Sequence, residues 1–480
     1  MTVRCIIRAF FFRDCFNRHF LFINTFFSDN KYTFQTATIC SNDNDWVDQS
    51  SNPDVIATDA YASFSINIPH ASKTRAVSTD PGIAAENAVK SLHVFIYDAE
   101  SPNTPTVAEF TVAGGTLTQK PAGSSTWMTS QPISTKKTDK YIFAGVNLNT
   151  EIVNYITSNG LGAFSYKDFT QEITKLADQT NGFVMFNSAY PTLTPAADLY
   201  EKKSEAENNH ITISVNRVTA KAAVFQSQSF VVNGGGTMTD LKFGWRNLNK
   251  KFYFIQDNRD TLIKDYNWAN YTAEDFTRGT DAINVYASAD VPTSFSYATE
   301  NAFQYISGTS NVDAATFISV SGVFTPTNII SAKKNPPTVA ADFEIIVNPK
   351  PADKTFFVVR TADGVANYFI DGPTAEKFAE LCAANTPQMP SINGIYLLSE
   401  NTYSNGLCYY HIFVNGDAVT PQAPYNIYRN QYFKININSI QAPGNPSDNF
   451  DRGEPIKPNS WIGVDIQIIP WEVIEEDHDL

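Results

Sequence analysis

Trp461-Ile-Gly-Val-Asp-Ile-Gln-Ile-Ile-Pro-Trp471 reads as an extended strand. Ile462, Val464, Ile466 and Ile468 recur at every second position, so one face is aliphatic. Gly463, Asp465 and Gln467 make the other face small or polar. Pro470 cannot donate to a ladder and suits a strand end or a sheet edge. A strand of the same pattern lies towards the other end, Ala62-Ser-Phe-Ser-Ile-Asn-Ile-Pro69. Ala62, Phe64, Ile66 and Ile68 form its apolar face. Two readings are open. The two strands compete for one groove, or they are ordinary members of a sandwich.

The chain has 480 residues, enough for two or three domains with sizeable cores. Hydrophobic residues are 42% and charged residues 18%, both low, with Ser, Thr, Asn, Phe and Tyr filling the gap. That profile suits an extracellular β protein with hydroxyl- and amide-rich strand faces. A net charge of -14 argues against a nucleic-acid partner, because no basic stripe is present to neutralise phosphates.

Residues 1–36 carry apolar runs, Phe10-Phe11-Phe12 and Phe20-Leu21-Phe22-Ile23, broken by Arg8, Arg13, Asp14 and Arg18. A signal peptide needs a clean apolar core of about 7–15 residues, and these runs fall short. The expectation is an atypical leader over 1–45, with a start upstream of, or out of frame with, the true one. Cys40 opens a polar tether, Ser41 to Asp45, and looks like a lipoprotein acceptor, although Ile39 before it is not small. An ordinary thiol is the alternative. Arg75-Ala76 sits between the strand 62–68 and the turn-like Val77-Ser-Thr-Asp-Pro-Gly82, a plausible place for proteolysis.

From Leu92 the strands become dense. Leu92–Tyr97 and Tyr141–Val146 are near-continuous apolar runs. Helices are expected at Glu151–Thr157, from Ser165 through Leu176, and at Thr374–Ala384. Between Ile211 and Phe225 the apolar positions switch from odd to even near Asn216-Arg217, which implies a bulge or a change of sheet. Asn233-Gly-Gly-Gly236 is the best break between halves, and Asp363-Gly364 predicts a hairpin. Many short strands with few helices mean a sandwich or barrel.

No catalytic signature is present in the sequence. The six histidines have no i, i+4 partner, and His93 and His411 read as structural residues inside strands. Gly234-Gly-Gly236 lacks the lysine and helix of a phosphate cradle. Asp448 to Glu454 reads as a solvated acidic loop, because Phe450 stands where a calcium ligand would be needed. Glu274-Asp275 is assigned to the surface. Cys382 and Cys408 form a disulfide or remain two buried thiols. No catalytic residue, cofactor or metal is expected, and the chain does not read as an enzyme.

Three stretches carry a family resemblance: Arg429-Asn-Gln-Tyr-Phe-Lys-Ile-Asn-Ile437, Gly444-Asn-Pro446, and Val464-x-Ile466-x-Ile468-x-Pro470-Trp471. Together they resemble the closing signature of Bacteroidales fimbrillins, the subunits of type V pili, and within them the short-fimbria major subunit family. The strand 211–224 with Arg217 and Lys221, and Arg75-Ala76, fit as well. The resemblance implies an all-β fold of two transthyretin-like Greek-key β-sandwich domains in tandem with a few short helices. It implies a propeptide over 46–75, an N-terminal domain over 76–228 and a C-terminal domain over 229–480, ending in a donor strand over 461–471. An arginine-specific protease would cut at Arg75/Ala76 and release the strand carrying Phe64, Ile66 and Ile68. Ile462, Val464, Ile466 and Ile468 of a neighbouring copy would then fill the groove. The implied partners are other copies of the chain in a head-to-tail filament, accessory fimbrial subunits and a host or bacterial surface ligand. The implied route is export through the outer membrane as a lipoprotein precursor lipidated at Cys40, ending in a fimbrium on the cell surface. The alternatives are a tip or accessory subunit, or a carbohydrate-binding surface lipoprotein.

Overall fold

A computed structural model describes residues 59–68, 83–268, 271–308, 313–348, 354–450, 455–456 and 461–471. Cys40, Arg75 and Ala76 therefore lie outside the described residues. The elements that position the terminal strands begin with β1 (Asp59–Asn67), α1 (Ala84–Asn87), β2 (Ser91–Asp98), β3 (Lys140–Val146) and α2 (Thr150–Asn159). They continue with β4 (His210–Arg217), β5 (Thr219–Val232), β6 (Gly236–Arg246), β7 (Phe317–Pro326) and α3 (Gly372–Ala383). β8 (Leu407–Ile412), β9 (Gln431–Ile440) and β10 (Ile462–Pro470) complete the set.

The fold is all-β. In the first half, nine strands form one ladder in which β2 and β3 lead through Met185–Asn187 to β4, then to β1, and on to 126–129 and 117–119. In the second half, β5, β9 and β10 are neighbours in a five-stranded sheet, and β6, β7 and β8 are neighbours in a four-stranded one. These two sheets face each other across a shared interior. Trp245 of β6 packs edge-on against Phe433 of β9 at 5.5 Å, with Val320 and Ile435 buried around them. A third sheet, built on 328–332, 343–347, 356–360 and 366–369, is backed by α3. Asp371 caps α3 by accepting the Thr374 amide at 2.8 Å.

The phase change between Ile211 and Phe225 is a change of sheet. β4 ends at Arg217 in the first ladder, and β5 starts at Thr219 in the second. β5 pairs in parallel with β9, from Lys221↔Tyr432 onward, and antiparallel with 296–299. The first residues of β5 precede the expected 228/229 division, yet they pair in the sheet of the second half. Residues 233–235 lie between β5 and β6. Residues of both halves line one continuous core.

The apolar run of β2 has a direct cause. Val94 and Ile96 face the shared core, while Phe95 and Tyr97 face a second cluster under α2. Both faces of the strand are covered, so no polar alternation survives. The second cluster is aromatic. Phe164 stacks on Phe143 at 3.9 Å and touches Phe95, Tyr97, Phe186 and Phe254.

Three expectations need correction. The helix from Ser165 to Leu176 does not form: Tyr166 has a φ of 56°, which ends any right-handed helix there. Phe169 instead pairs with Phe252, and only Ile173–Leu176 is helical. Asp275 is not on the surface. It is buried and pairs with Lys251 at 2.9 Å. Asp448 is not solvated either, because Arg246 and Ser319 are brought against its carboxylate. Cys382 and Cys408 are two free, buried thiols, and burial pushes both up to about 11. The Asp363-Gly364 hairpin forms as expected, with Arg360↔Ala366 paired and Gly364 at a φ of 85°.

The aromatic layer gives a test. Phe164→Ala should lower the unfolding free energy by about 3–5 kcal/mol in a denaturant titration, because it empties a site ringed by five aromatic side chains. A loss under about 1 kcal/mol would show that this layer does not hold α2 to the sheet.

Candidate assembly strands

β1 is enclosed. It runs parallel to β4, from Ser63↔His210 to Asn67↔Ser214, and antiparallel to 126–129 and 133–136 on its other side. Phe64, Ile66 and Ile68, together with Ala60 and Ala62, are buried in the core. On the opposite face Ser63 and Ser65 are buried, and Tyr61 and Asn67 are half-buried. Ser65 Oγ lies 2.9 Å from Thr212 Oγ1, and Ser125 Oγ donates to Asn67 Oδ1 at 2.9 Å. Thr129 closes the pairing: its hydroxyl accepts the Phe64 amide at 3.1 Å and donates to the Phe64 carbonyl at 3.2 Å.

β10 has the same alternation and the opposite placement. It is the end strand of its sheet, antiparallel to β9 from Gln431↔Pro470 to Ile440↔Ile462. The register slips between Ile437 and Ser439. Gly463 sits at the slip, where a Cβ would come within 2.6 Å of Ser439 Oγ. Ile462 is buried and Val464 and Ile466 are half-buried against the core, but Ile468 is 37% exposed. Burial passes to Ile469, which pairs with the buried Tyr432. The four-residue aliphatic face read from the sequence is therefore three residues deep in the chain's own sheet.

Beyond β10, Trp471 enters a polar node that sequence reading missed. At its centre is Glu86 of α1, 0% exposed. Its carboxylate accepts from Lys221 Nζ at 2.9 Å, Tyr297 Oη at 2.8 Å, Trp471 Nε1 at 3.2 Å and the Ile83 amide at 3.1 Å. Arg217 is buried beside it. Its guanidinium donates to the Glu86 carbonyl at 3.0 Å, Asn87 at 2.6 Å, Asn430 at 3.1 Å and the Trp471 carbonyl at 3.2 Å. Burial pulls Arg217 down to about 10 against the opposing pull of Glu86. Burial, and then the Glu86 charge, push the Tyr297 hydroxyl far above its ordinary value. The family resemblance carries Arg217 and Lys221 only as matching residues in the strand 211–224. The signal that could have found the node is two basic residues in an otherwise apolar strand pair, which must meet an acid.

Two further charged sites flank these strands. Arg429, next to Asn430, pairs with the buried Glu300 at 2.6 Å and donates to the Phe254 and Tyr253 carbonyls at 2.8 and 2.7 Å. Asp448 accepts from Arg246 Nε at 2.6 Å and from Ser319 Oγ, and His411 Nε2 lies 3.4 Å from it. Ser319, His411 and Asp448 do not form a nucleophilic triad. The carboxylate stands between the other two, so the serine hydroxyl has no imidazole to take its proton. Among the described residues no group of His, Cys, Asp and Glu is placed to hold a metal, and no helix is long and apolar enough to cross a membrane.

Residues 401–477 match the family model for "Major fimbrial subunit protein type IV, Fimbrillin, C-terminal". The match contains β8, β9, β10, Arg429, Asn430 and Trp471, so this part of the chain is fimbrillin-like. No curated protein matches the sequence. Among solved structures, the chain is similar to a fimbrilin from Porphyromonas gingivalis W83, at 14% identity and a TM-score of 0.42, covering 87% of this chain and 99% of that one. It is also similar to the C-terminally truncated tip fimbrial protein Mfa3 from Porphyromonas gingivalis, at 13% identity and a TM-score of 0.37, covering 86% and 100%.

Asp448 gives a pH test. Burial alone would raise its pKa, but His411, Ser319 and Arg246 outweigh burial and hold the carboxyl well below the usual range. A depressed folded pKa stabilises above the unfolded value of about 3.9, and that stability is lost as pH falls towards the folded value. Asp448→Asn should therefore be less stable than the wild type in urea at pH ~7, with a shallower loss between pH ~5 and ~2. Parallel pH profiles for the two proteins would refute this role.

Proposed function

We propose that this chain is a structural, non-enzymatic subunit of a cell-surface fimbria, and that it polymerises by exchange of strands between copies. The observation that carries the proposal is the enclosure of β1 within the sheet by side chains and ladder pairing alone. Its only covalent link to α1 runs through 69–82, which contains Arg75. One cut at Arg75/Ala76 would make β1 a separate peptide held without a covalent bond.

The energetics support a replaceable strand. Burial of Phe64, Ile66 and Ile68 contributes roughly 5–9 kcal/mol, so the vacated groove would not stay empty in water. A strand with aliphatic residues at alternate positions restores both the burial and the ladder. β10 offers Ile462, Val464, Ile466 and Ile468 in that spacing, and as an edge strand it can leave its sheet without opening a gap between two others. Each copy would give one strand and take another, which propagates head to tail and does not close.

In this reading an arginine-specific protease is the trigger, and Cys40 carries the lipid that delivers the precursor to the outer membrane. The two tandem transthyretin-like sandwiches of this reading, divided at 228/229, would be joined by β5, which enters the second-half sheet at Thr219. Accessory fimbrial subunits would cap or anchor the filament. A tip subunit needs a groove but no donor, so the intact β10 favours a stalk role. The carbohydrate-binding alternative needs open aromatic faces. In the tyrosine cluster on the first half, Tyr166 has Arg259 over one ring at 3.6 Å and Tyr190 stacked on it at 6.1 Å.

Two experiments test the proposal. Arg75→Ala should leave the precursor uncut and monomeric; normal filaments from this variant, with mature protein starting elsewhere, would sink the trigger. Ile466→Asp places a carboxylate where an incoming strand must bury a side chain, at several kcal/mol. It should fold as a monomer, because Ile466 is only half-buried at a sheet edge, and fail to form filaments after arginine-specific cleavage. Asp465→Ala, on the exposed face, should still assemble. Filaments from Ile466→Asp in electron micrographs would place the donor elsewhere.

A further inference from the structure

β10 is shallow in its middle and pinned at its ends. Asp465, Gln467 and Ile468 are exposed, and among the described residues the strand has no neighbour on its outer side. At its start, the half-buried Trp461 lies 4.2 Å from the Arg360 guanidinium, and its carbonyl accepts the Gln441 amide at 2.8 Å. At its end, Trp471 is 0% exposed. Its ring meets Phe183 edge-on at 5.6 Å and stacks on Tyr297 at 6.0 Å. Arg217 and Lys221 lie over it at 4.5 and 4.9 Å.

The backbone of Trp471 is held as firmly as the ring. Its amide donates to the Asn430 carbonyl at 3.0 Å, and its own carbonyl accepts from Arg217. Every polar atom of this residue is thus engaged inside a dry site, where a hydrogen bond to a charged group is strong and its loss is severe. Glu86 organises the site, because it fixes Lys221, Tyr297 and the indole at once. Glu86 sits on α1, a single helical turn in the stretch after Arg75.

We infer that the Glu86–Lys221–Arg217 node is a latch on the C-terminal strand. It grips Trp471 and so keeps β10 in the sheet of its own chain; when the Glu86 grip is lost, β10 peels from β9 as a unit while the sheets behind it stay intact. The half-buried middle of β10 does not supply this hold. The inference concerns one subunit and stands whether or not the strand is later donated to another.

The test is amide hydrogen exchange on the full chain. Glu86→Gln keeps the side-chain size and removes the charge. Exchange of the 462–470 amides should speed up by roughly tenfold or more, while β6 and β7 exchange as in the wild type. Trp471→Phe keeps an aromatic ring but removes the indole N–H, and it should produce the same local change. An unchanged rate at 462–470 in both variants would overturn the latch. So would an equal acceleration in every sheet, or failure of both variants to fold, because either outcome would make the node a determinant of the whole fold.

Discussion

A carboxylate with no access to water is the constraint around which this protein is arranged. An isolated Glu86 in that position would be unfavourable by several kcal/mol. It is tolerated because donors arrive from four directions: the Ile83 amide, Lys221, Tyr297 and Trp471. Those donors come from the entry to α1, from β5, from its neighbour at 296–299 and from the end of the last strand. They converge where the chain changes sheets: Arg217, at the end of β4, donates to the Glu86 carbonyl, and Lys221, near the start of β5, pairs with its carboxylate. The node thus joins side chains from both halves of the molecule, with the core supplying the bulk of the stability.

β1 and β10 show how one pattern serves two ends. Alternation of aliphatic and small polar residues lets a strand lie in a sheet with one face inward. Whether the strand is enclosed depends on its neighbours. β1 has partners along both sides, and Ser65 is buried with a hydroxyl partner. β10 has a partner on one side, so Asp465 can remain in water and Asn438 can reach it at 2.7 Å. A strand paired on one side can leave its sheet without parting two neighbours, which is the physical basis of the proposed exchange.

The matched fimbrillin segment is dense in such fixings. Arg429 reaches back to Glu300 and to the carbonyls of Tyr253 and Phe254, Asn430 enters the Glu86 node, and Asp448 ties the stretch before β10 to β6 and β7. The stretch that leads into β10 is therefore held by charge-assisted hydrogen bonds at defined points, while the middle of the strand is only half-buried.

Local order was legible because it is written at short range. The periodicity of 62–68 and 462–470, the odd-to-even switch near Arg217, the Asp363-Gly364 turn and the helix capped by Asp371 all follow from side-chain spacing and backbone chemistry within a few residues. The burial of Phe64, Ile66 and Ile68 could be read from the same alternation. What depends on distant partners could not be read. Ser165 to Leu176 has helical spacing, yet Phe169 finds Phe252 and the left-handed Tyr166 breaks the turn. Asp275 and Asp448 look like surface acids until Lys251 and Arg246 are brought to them. The four-residue face of β10 loses Ile468 to solvent because its sheet covers the other face at Ile469. Glu86 and Trp471 are 385 residues apart, and only the closing of both halves around one site gives that glutamate its role. Sequence by itself determined the strands and their inward faces, since alternation is a property of the backbone. Which strand is enclosed, which lies at an edge and which acid is buried were decided by the tertiary structure, since desolvation and pairing depend on what arrives from elsewhere in the chain.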